Sequence, residues 1–171
     1  GKLAPAWRAL YRSFAQYALP DQTSVVHLHS SKKHDLTTKG HMVGHVDSRS
    51  LDRGEIRVHF GPLGASNPRY LLPIIGHEFV HVLQYQRGDL GWDPNSQMIL
   101  WKQQPYMSAK EYNSLSKMDP RKAKELHSKL PWEEEANRQG KVLSDQFQAR
   151  KETLWRGLDP TLDYMLDQDL L

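Results

Sequence analysis

His77, Glu78 and His81 stand together in "IIGHEFVHVLQYQ", residues 74–86, within an otherwise apolar run. On a helix, residues four apart share one face, with their Cβ atoms about 5–6 Å apart. Two imidazoles at that spacing can grip one zinc ion, whose bonds to histidine nitrogen are about 2.0–2.1 Å. Glu78 follows His77 directly and is rotated away from the pair. It is too far round to be a natural ligand, yet near enough to reach a water beside the ion. That is the placing of a general base for metal-assisted hydrolysis. With nine histidines in 171 residues, chance alone would give the pattern in roughly 2 of 100 such chains. The flanks "LLPII" and "FVHVLQ" weigh against chance. Unpaired polar groups beside a core are costly, and one metal ion would satisfy all of them at once.

A catalytic zinc takes a third protein ligand and keeps an open fourth position. Candidates lie downstream in "LPWEEEANRQG", residues 130–140. If Pro131 opens a helix, Glu133 and Asn137 fall on one face, with Glu134 and Glu135 rotated off by roughly 100° and 200°. Glu133 is then a candidate ligand. Asn137, one turn on, can accept a hydrogen bond from the outer N–H of a ligand histidine and fix its tautomer. The bland alternative is an acidic first turn favoured by the helix dipole.

"HEFVH" followed roughly fifty residues later by "EEEAN" resembles the gluzincin zinc peptidases, whose third ligand is a Glu on a later helix in an E-x-x-(A/S)-(D/N) context. Compact length, the preceding strand "GEIRVHF", and Gln84 three residues past His81 make the chain similar to two small subgroups. One comprises peptidase domains found with toxins and contractile injection systems; the other is the minigluzincins. The E-x-E-A-N form also resembles repressor-cleaving peptidases of phage and radiation-response systems. The resemblance spans residues 54–140. It implies zinc on His77, His81 and Glu133, with Glu78 as base in a zinc endopeptidase, and a protein or peptide as substrate. Asn137 stands where many relatives carry Asp, a stronger partner for an imidazole. Family members commonly supply a Tyr, His or Arg to polarise the scissile carbonyl. Tyr106, Tyr112 and His127 lie between the motifs and are the candidates here.

The elements that must position these residues can be read along the chain. Leu10, Phe14, Tyr17 and Leu19 in "PAWRALYRSFAQYAL" approach helical spacing and predict an amphipathic helix ending before Pro20. Thr23 to His29 alternates and is β-branched, as a strand should be. The polar, Gly-containing stretch after it predicts a hairpin or long loop, with a candidate strand near Met42 to Val46. In "GEIRVHF", Ile56, Val58 and Phe60 alternate with Glu55, Arg57 and His59, which predicts a half-buried strand. The main helix follows, with Ser66 or Asn67 as cap, a restart or kink at Pro73, and a stop at Gly88. "DLGWDPNS" reads as a loop and "QMILWKQQPY" as a strand or extended segment. Ser108 and Glu111 have capping-box spacing, and Asp119-Pro120 caps another helix ending near Lys129. Pro131 opens a helix through Trp155 with Gly140 as its weak point, and an amphipathic helix from Pro160 to Leu170 closes the chain. That order predicts one α+β domain over residues 1–171: an N-terminal helix and short sheet, the active-site helix, and C-terminal helices in a zincin-like arrangement.

Composition narrows the field. At 38% hydrophobic and 25% charged residues, the chain is polar but globular, and no apolar run approaches bilayer length. It has no cysteine, so only His, Asp or Glu can hold a metal. The net charge of +3 is spread out, and the densest basic cluster, Lys117 to Lys129, is broken by Asp119 and Glu125. That pattern argues against nucleic acid as a partner. A monomer is expected. "GKLAPAWRAL" lacks an apolar h-region, and its start at Gly1 suggests an excised or processed form, so no compartment is read. Two alternatives stay beside the peptidase: an inert structural or binding module of a toxin or injection system, and a DNA-associated protease docking through Lys117 to Lys129. His27 and His29 share one side of their strand, and His41 and His45 are four apart between glycines. Surface or core histidines are the default for these, with a second metal site as the sharper reading. "GHMVG" could form a lip over a cleft. The acidic C-terminal segment reads as a helix packed on the core, or as a plug that keeps the enzyme latent.

Overall fold

Leu10, Tyr11, Phe14 and Ala18 recur at helical spacing, and α1 (Pro5–Ala18) buries all four before the chain reaches Pro20. The computed structural model describes residues 5–20, 25–30, 45–46, 55–60 and 68–171, with side chains described for 5–20 and 71–171. Three strands follow α1: β1 (Val25–Ser30), β2 (His45–Val46) and β3 (Glu55–Phe60). They form a mixed sheet in the order β1-β3-β2, with β3 parallel to β1 and antiparallel to β2. All three match the expected strands. The polar stretch between β1 and β2, His41, the "GHMVG" lip and the Ser66 or Asn67 cap lie outside the described residues.

α2 (Pro68–Gln86) runs through Pro73 without breaking. The expected restart does not occur. Leu71, Leu72 and Ile75, all fully buried around the proline, offset the helix-breaking cost of about 3 kcal/mol. Gly88 ends the helix as expected, at φ +75°. Its N–H donates to Tyr85 O at 3.1 Å and that of Asp89 to Gln84 O at 2.9 Å, the paired bonds of a left-handed glycine stop.

The "DLGWDPNS" segment, expected as a loop, instead contributes a strand. β4 (Leu90–Asp93), β5 (Met98–Trp101) and β6 (Gln104–Ser108) form an antiparallel meander, so sheet is not confined to the N-terminal half. Burial outweighed turn-forming composition here: Leu90 packs with Leu130 and Trp132. Lys102 and Gln103, which link β5 to β6, both hold positive φ, 49° and 66°. That is the hairpin turn usually built from Asn-Gly, so the sequence carried no signal for it.

The capping box on α3 (Ala109–Ser114) is formed by Ser108 and Glu111 as expected. After a 3-10 turn at Leu115–Lys117, Asp119 caps α4 (Pro120–Ser128) by accepting from Lys122 N. α5 (Pro131–Ala149) stops short of the expected Trp155, and α6 (Lys151–Leu154) restarts after Arg150. The break brings Trp155 back onto Phe147, with ring centroids 5.5 Å apart. α7 (Pro160–Asp167) docks Leu162 and Leu166 into the core formed by α1, α2 and α5. This packing accounts for its amphipathic pattern. The result is an α+β fold, in which Phe14 stacks on Phe147 at 4.8 Å and tilts against Phe79 at 5.4 Å. Among the described residues, no helix is long and apolar enough to cross a membrane.

Candidate metal centre

Helices α2 and α5 cross at two glycines. A Cβ at Gly140 would lie 2.5 Å from His77 N and 2.7 Å from His77 Cα, and one at Gly76 would lie 2.6 Å from Gly140 O. Both contacts are with backbone, so any side chain at either position holds the helices apart. Along α5, Ala136, Gly140 and Ser144 recur every four residues and are buried, giving one face of small residues. Glu133 and Asn137 lie near that face, about two turns and one turn before Gly140 respectively. The crossing therefore brings them to the histidines of α2.

Their meeting is close. His77 Nε2 and His81 Nε2 are 3.0 Å apart. Glu133 Oε2 lies 3.1 Å from His77 Nε2, and its Oε1 lies 3.2 Å from His81 Nε2. Ligand bonds of about 2.0–2.1 Å in a tetrahedral site give edges of about 3.3 Å, so the three donors sit close to one tetrahedral face. His77, His81 and Glu133 are near enough to hold one metal ion. Glu133 and His81 are buried and His77 is half-buried. Glu78, also buried, stands beside the group with Oε1 3.9 Å from His77 Nε2.

The rings are fixed from behind. Gln84, fully buried, donates through Nε2 to Trp132 O at 2.9 Å and to Glu135 Oε2 at 2.7 Å. Its amide nitrogen is thus committed, and its Oε1 is left to accept from His81 Nδ1–H at 2.8 Å. Asn137 Oδ1 accepts from His77 Nδ1–H at 2.8 Å, as its spacing from Glu133 predicted. Both rings then present the Nε2 lone pair to the same point. Glu135 also accepts from Arg87 Nη2 at 3.2 Å and from Gln139 Nε2 at 3.3 Å. The chain runs from Arg87 through Glu135 and Gln84 to His81.

Charge is concentrated here. Burial acts to raise the Glu133 carboxyl, but the hydrogen bonds from His77 and His81 overcome it and hold the group well below the usual carboxylate range. Burial acts to lower His81. The Glu133 hydrogen bond and the charge of Glu78 reverse this and push His81 up to about 9. Burial raises Glu78 above the ordinary range, although His81 and His77 draw it back. A cluster that retains a proton this strongly attracts a divalent cation for the same electrostatic reason.

Two of the three candidate carbonyl donors come to this centre. His127 Nε2 lies 3.6 Å from Glu133 Oε1, and Tyr112 Oη lies 3.5 Å from His127 Nε2. Burial and then the Glu133 charge raise the Tyr112 phenol, keeping it protonated. Tyr106 instead packs edge-on against Trp132, with centroids 5.3 Å apart. Sequence reasoning missed Glu135 and the load on Gln84. The only available signal was Gln84 facing inward one turn after His81. Compared with protein-family models, with curated proteins and with solved structures, the chain matches none of them.

Proposed function

We propose that the chain is a gluzincin-type zinc endopeptidase in a zincin-like fold. One observation carries the reading: two imidazole nitrogens and one carboxylate, from two helices, lie 3.0–3.2 Å apart with a buried glutamate beside them. A zinc ion held by His77, His81 and Glu133 would supply Lewis acidity towards a peptide carbonyl and lower the pKa of water bound to it. Imidazole and carboxylate donors without thiolate suit zinc well.

The remaining work falls to the chain. Glu78 Oε1 takes a proton from water as the new C–O bond forms. It later returns that proton to the departing amine as the C–N bond breaks. Burial favours its neutral form and so brings its affinity for a proton nearer to what both transfers need. Asn137 and Gln84 hold the two rings in the tautomer that turns Nε2 forward. His127 and the protonated Tyr112 are donors on the Glu133 side, suited to the charge that develops on the carbonyl oxygen. Such a donor supplies about 3 kcal/mol.

The test is cleavage of unstructured protein and a peptide library, read by mass spectrometry, by the zinc-loaded wild type and by Glu78→Gln. The proposal expects cleavage by the first only, with equal zinc content in both, and loss of zinc in His77→Ala and Glu133→Ala. An inert metal-binding module would show no difference between wild type and Glu78→Gln in any cleavage assay.

A further inference from the structure

Basic residues occur along the whole chain, but their excess over acidic ones does not. Residues 109–129 carry six Lys or Arg and three Asp or Glu, a net +3 that equals the net charge of all 171 residues. This segment forms α3, the 3-10 turn and α4. Its acids are committed locally. Glu111 accepts from Ser108 N at 2.7 Å and Asp119 from Lys122 N at 3.2 Å, each at a helix cap. Glu125 pairs with Lys129 at 2.8 Å. Lys110, Lys117, Arg121, Lys122 and Lys124 are exposed, and none has an ion-pair partner among the described residues. Ala123, Leu126 and His127 are half-buried and mark the inward side of α4. Helical spacing then leaves Arg121, Lys122 and Lys124 on its outward arc.

This basic face borders the metal centre. His127 Nε2 lies 3.6 Å from Glu133 Oε1, and the His127 side chain is 44% exposed, so α4 reaches from a ligand to solvent. Lys124 stands one turn before His127 and Arg121 two, about 4.5 and 9 Å along the helix axis. An extended peptide covers that span in about three residues. We propose that the α3–α4 face binds an acidic stretch of the polypeptide substrate, with its carboxylates within about three residues of the bond cleaved. The proposal rests on the peptidase reading and names its substrate class. Charge complementarity carries it: such a stretch supplies the counter-charge that the segment lacks, and surface charge of this kind acts on encounter rate and choice of partner. Single-stranded nucleic acid would also need exposed aromatic rings on which to stack its bases. The segment's one Tyr, Tyr112, is half-buried, with Oη 3.5 Å from His127 Nε2.

The test uses the full zinc-loaded chain with Glu78→Gln to prevent cleavage. Fluorescence anisotropy compares two unstructured peptides of equal length, one rich in Asp and Glu, the other with Asn and Gln in their place. At low salt the acidic peptide should bind about tenfold more tightly, within the range of electrostatic steering, and the difference should fade by about 0.5 M salt. Lys117→Gln/Arg121→Gln/Lys122→Gln/Lys124→Gln, all at exposed positions, should abolish the preference with zinc content and Tm unchanged. Equal affinity for the two peptides overturns the inference without any variant. So does a preference that persists in the variant, or tighter binding of duplex DNA or of phosphatidylserine vesicles than of the acidic peptide. A chain that shows the preference while its wild type cuts no peptide refutes the peptidase reading and keeps the face as a docking surface for acidic polypeptide.

Discussion

Gly140→Ala is the smallest change that should reach the metal centre without touching it. The added Cβ would meet His77 N at 2.5 Å, His77 Cα at 2.7 Å and Gly76 C at 2.8 Å. Carbon atoms pack at about 3.5 Å or more, so the helices must part by about 0.7–1.0 Å. None of those atoms belongs to a flexible side chain, so the strain has no local escape. Inserting a methyl group into a packed core costs about 1–3 kcal/mol. Alanine's better helix propensity returns about 1 kcal/mol, leaving a net loss of about 0–2 kcal/mol. For a chain of this length each kcal/mol lowers Tm by about 2–4 °C.

The larger effect is on the ligands. Glu133 rides on α5, and its oxygens now lie 3.1 and 3.2 Å from the two Nε2 atoms. Parting the helices by the amount above greatly exceeds the ±0.2 Å or so that a metal–ligand distance tolerates. Zinc affinity should fall by about tenfold or more, comparable to losing a partner behind a ligand. Thermal unfolding of the metal-free chain and zinc competition against a chromophoric chelator measure the two effects separately. Val142→Ala, at an exposed position of the same helix, is the control and should change neither. If Gly140→Ala binds zinc as tightly as wild type, the glycine crossing does not set the ligand geometry.

Two further changes probe what surrounds the ligands. Gln84→Leu strands His81 Nδ1–H without its partner at a fully buried position and removes one donor each from Trp132 O and Glu135, which keeps Arg87 and Gln139. It should lower stability by about 1–3 kcal/mol and zinc affinity by about 10–100-fold; an unchanged affinity in a competition titration would show that His81 needs no partner. His127→Ala and Tyr112→Phe should keep one zinc at the α2–α5 centre but lower kcat by about 10²–10³. A KM effect with kcat intact would make them substrate contacts instead.

What could be read in the sequence was what a single helix fixes. His77 with His81 and Glu133 with Asn137 are i, i+4 pairs, and helical arithmetic alone sets their faces. The caps at Ser108 and Asp119 and the stop at Gly88 are local in the same sense. Features that depend on a distant partner were hidden. Nothing in "PIIGHE" or "NRQGKV" says that Gly76 will meet Gly140, and Gly140 looked like a defect in α5. Gln84 and Glu135 are ordinary polar residues until α2 and α5 are laid together. In the β4–β6 meander the extended character of "QMILWKQQPY" was legible and β5 and β6 lie there, but β4 and the turns escaped, because Gln97, Lys102 and Gln103 hold positive φ without the glycines that mark such turns.

The glycines and the buried polar groups answer one another. Glu78, His81, Gln84 and Glu133 are all buried, and each would cost several kcal/mol if left unpaired in a low-dielectric setting. Only a very close helix crossing lets α5 offer Glu133, Asn137, Trp132 O and Glu135 to α2 within hydrogen-bonding distance. Larger residues at the crossing would have given α2 and α5 more apolar contact but left these groups out of reach. A fold selected for stability alone would gain by making the whole interface apolar, since buried ionic clusters rarely outperform hydrophobic packing. Retaining four polar groups, together with the two glycines that let them meet, makes sense if an ion binds where the three donor atoms point.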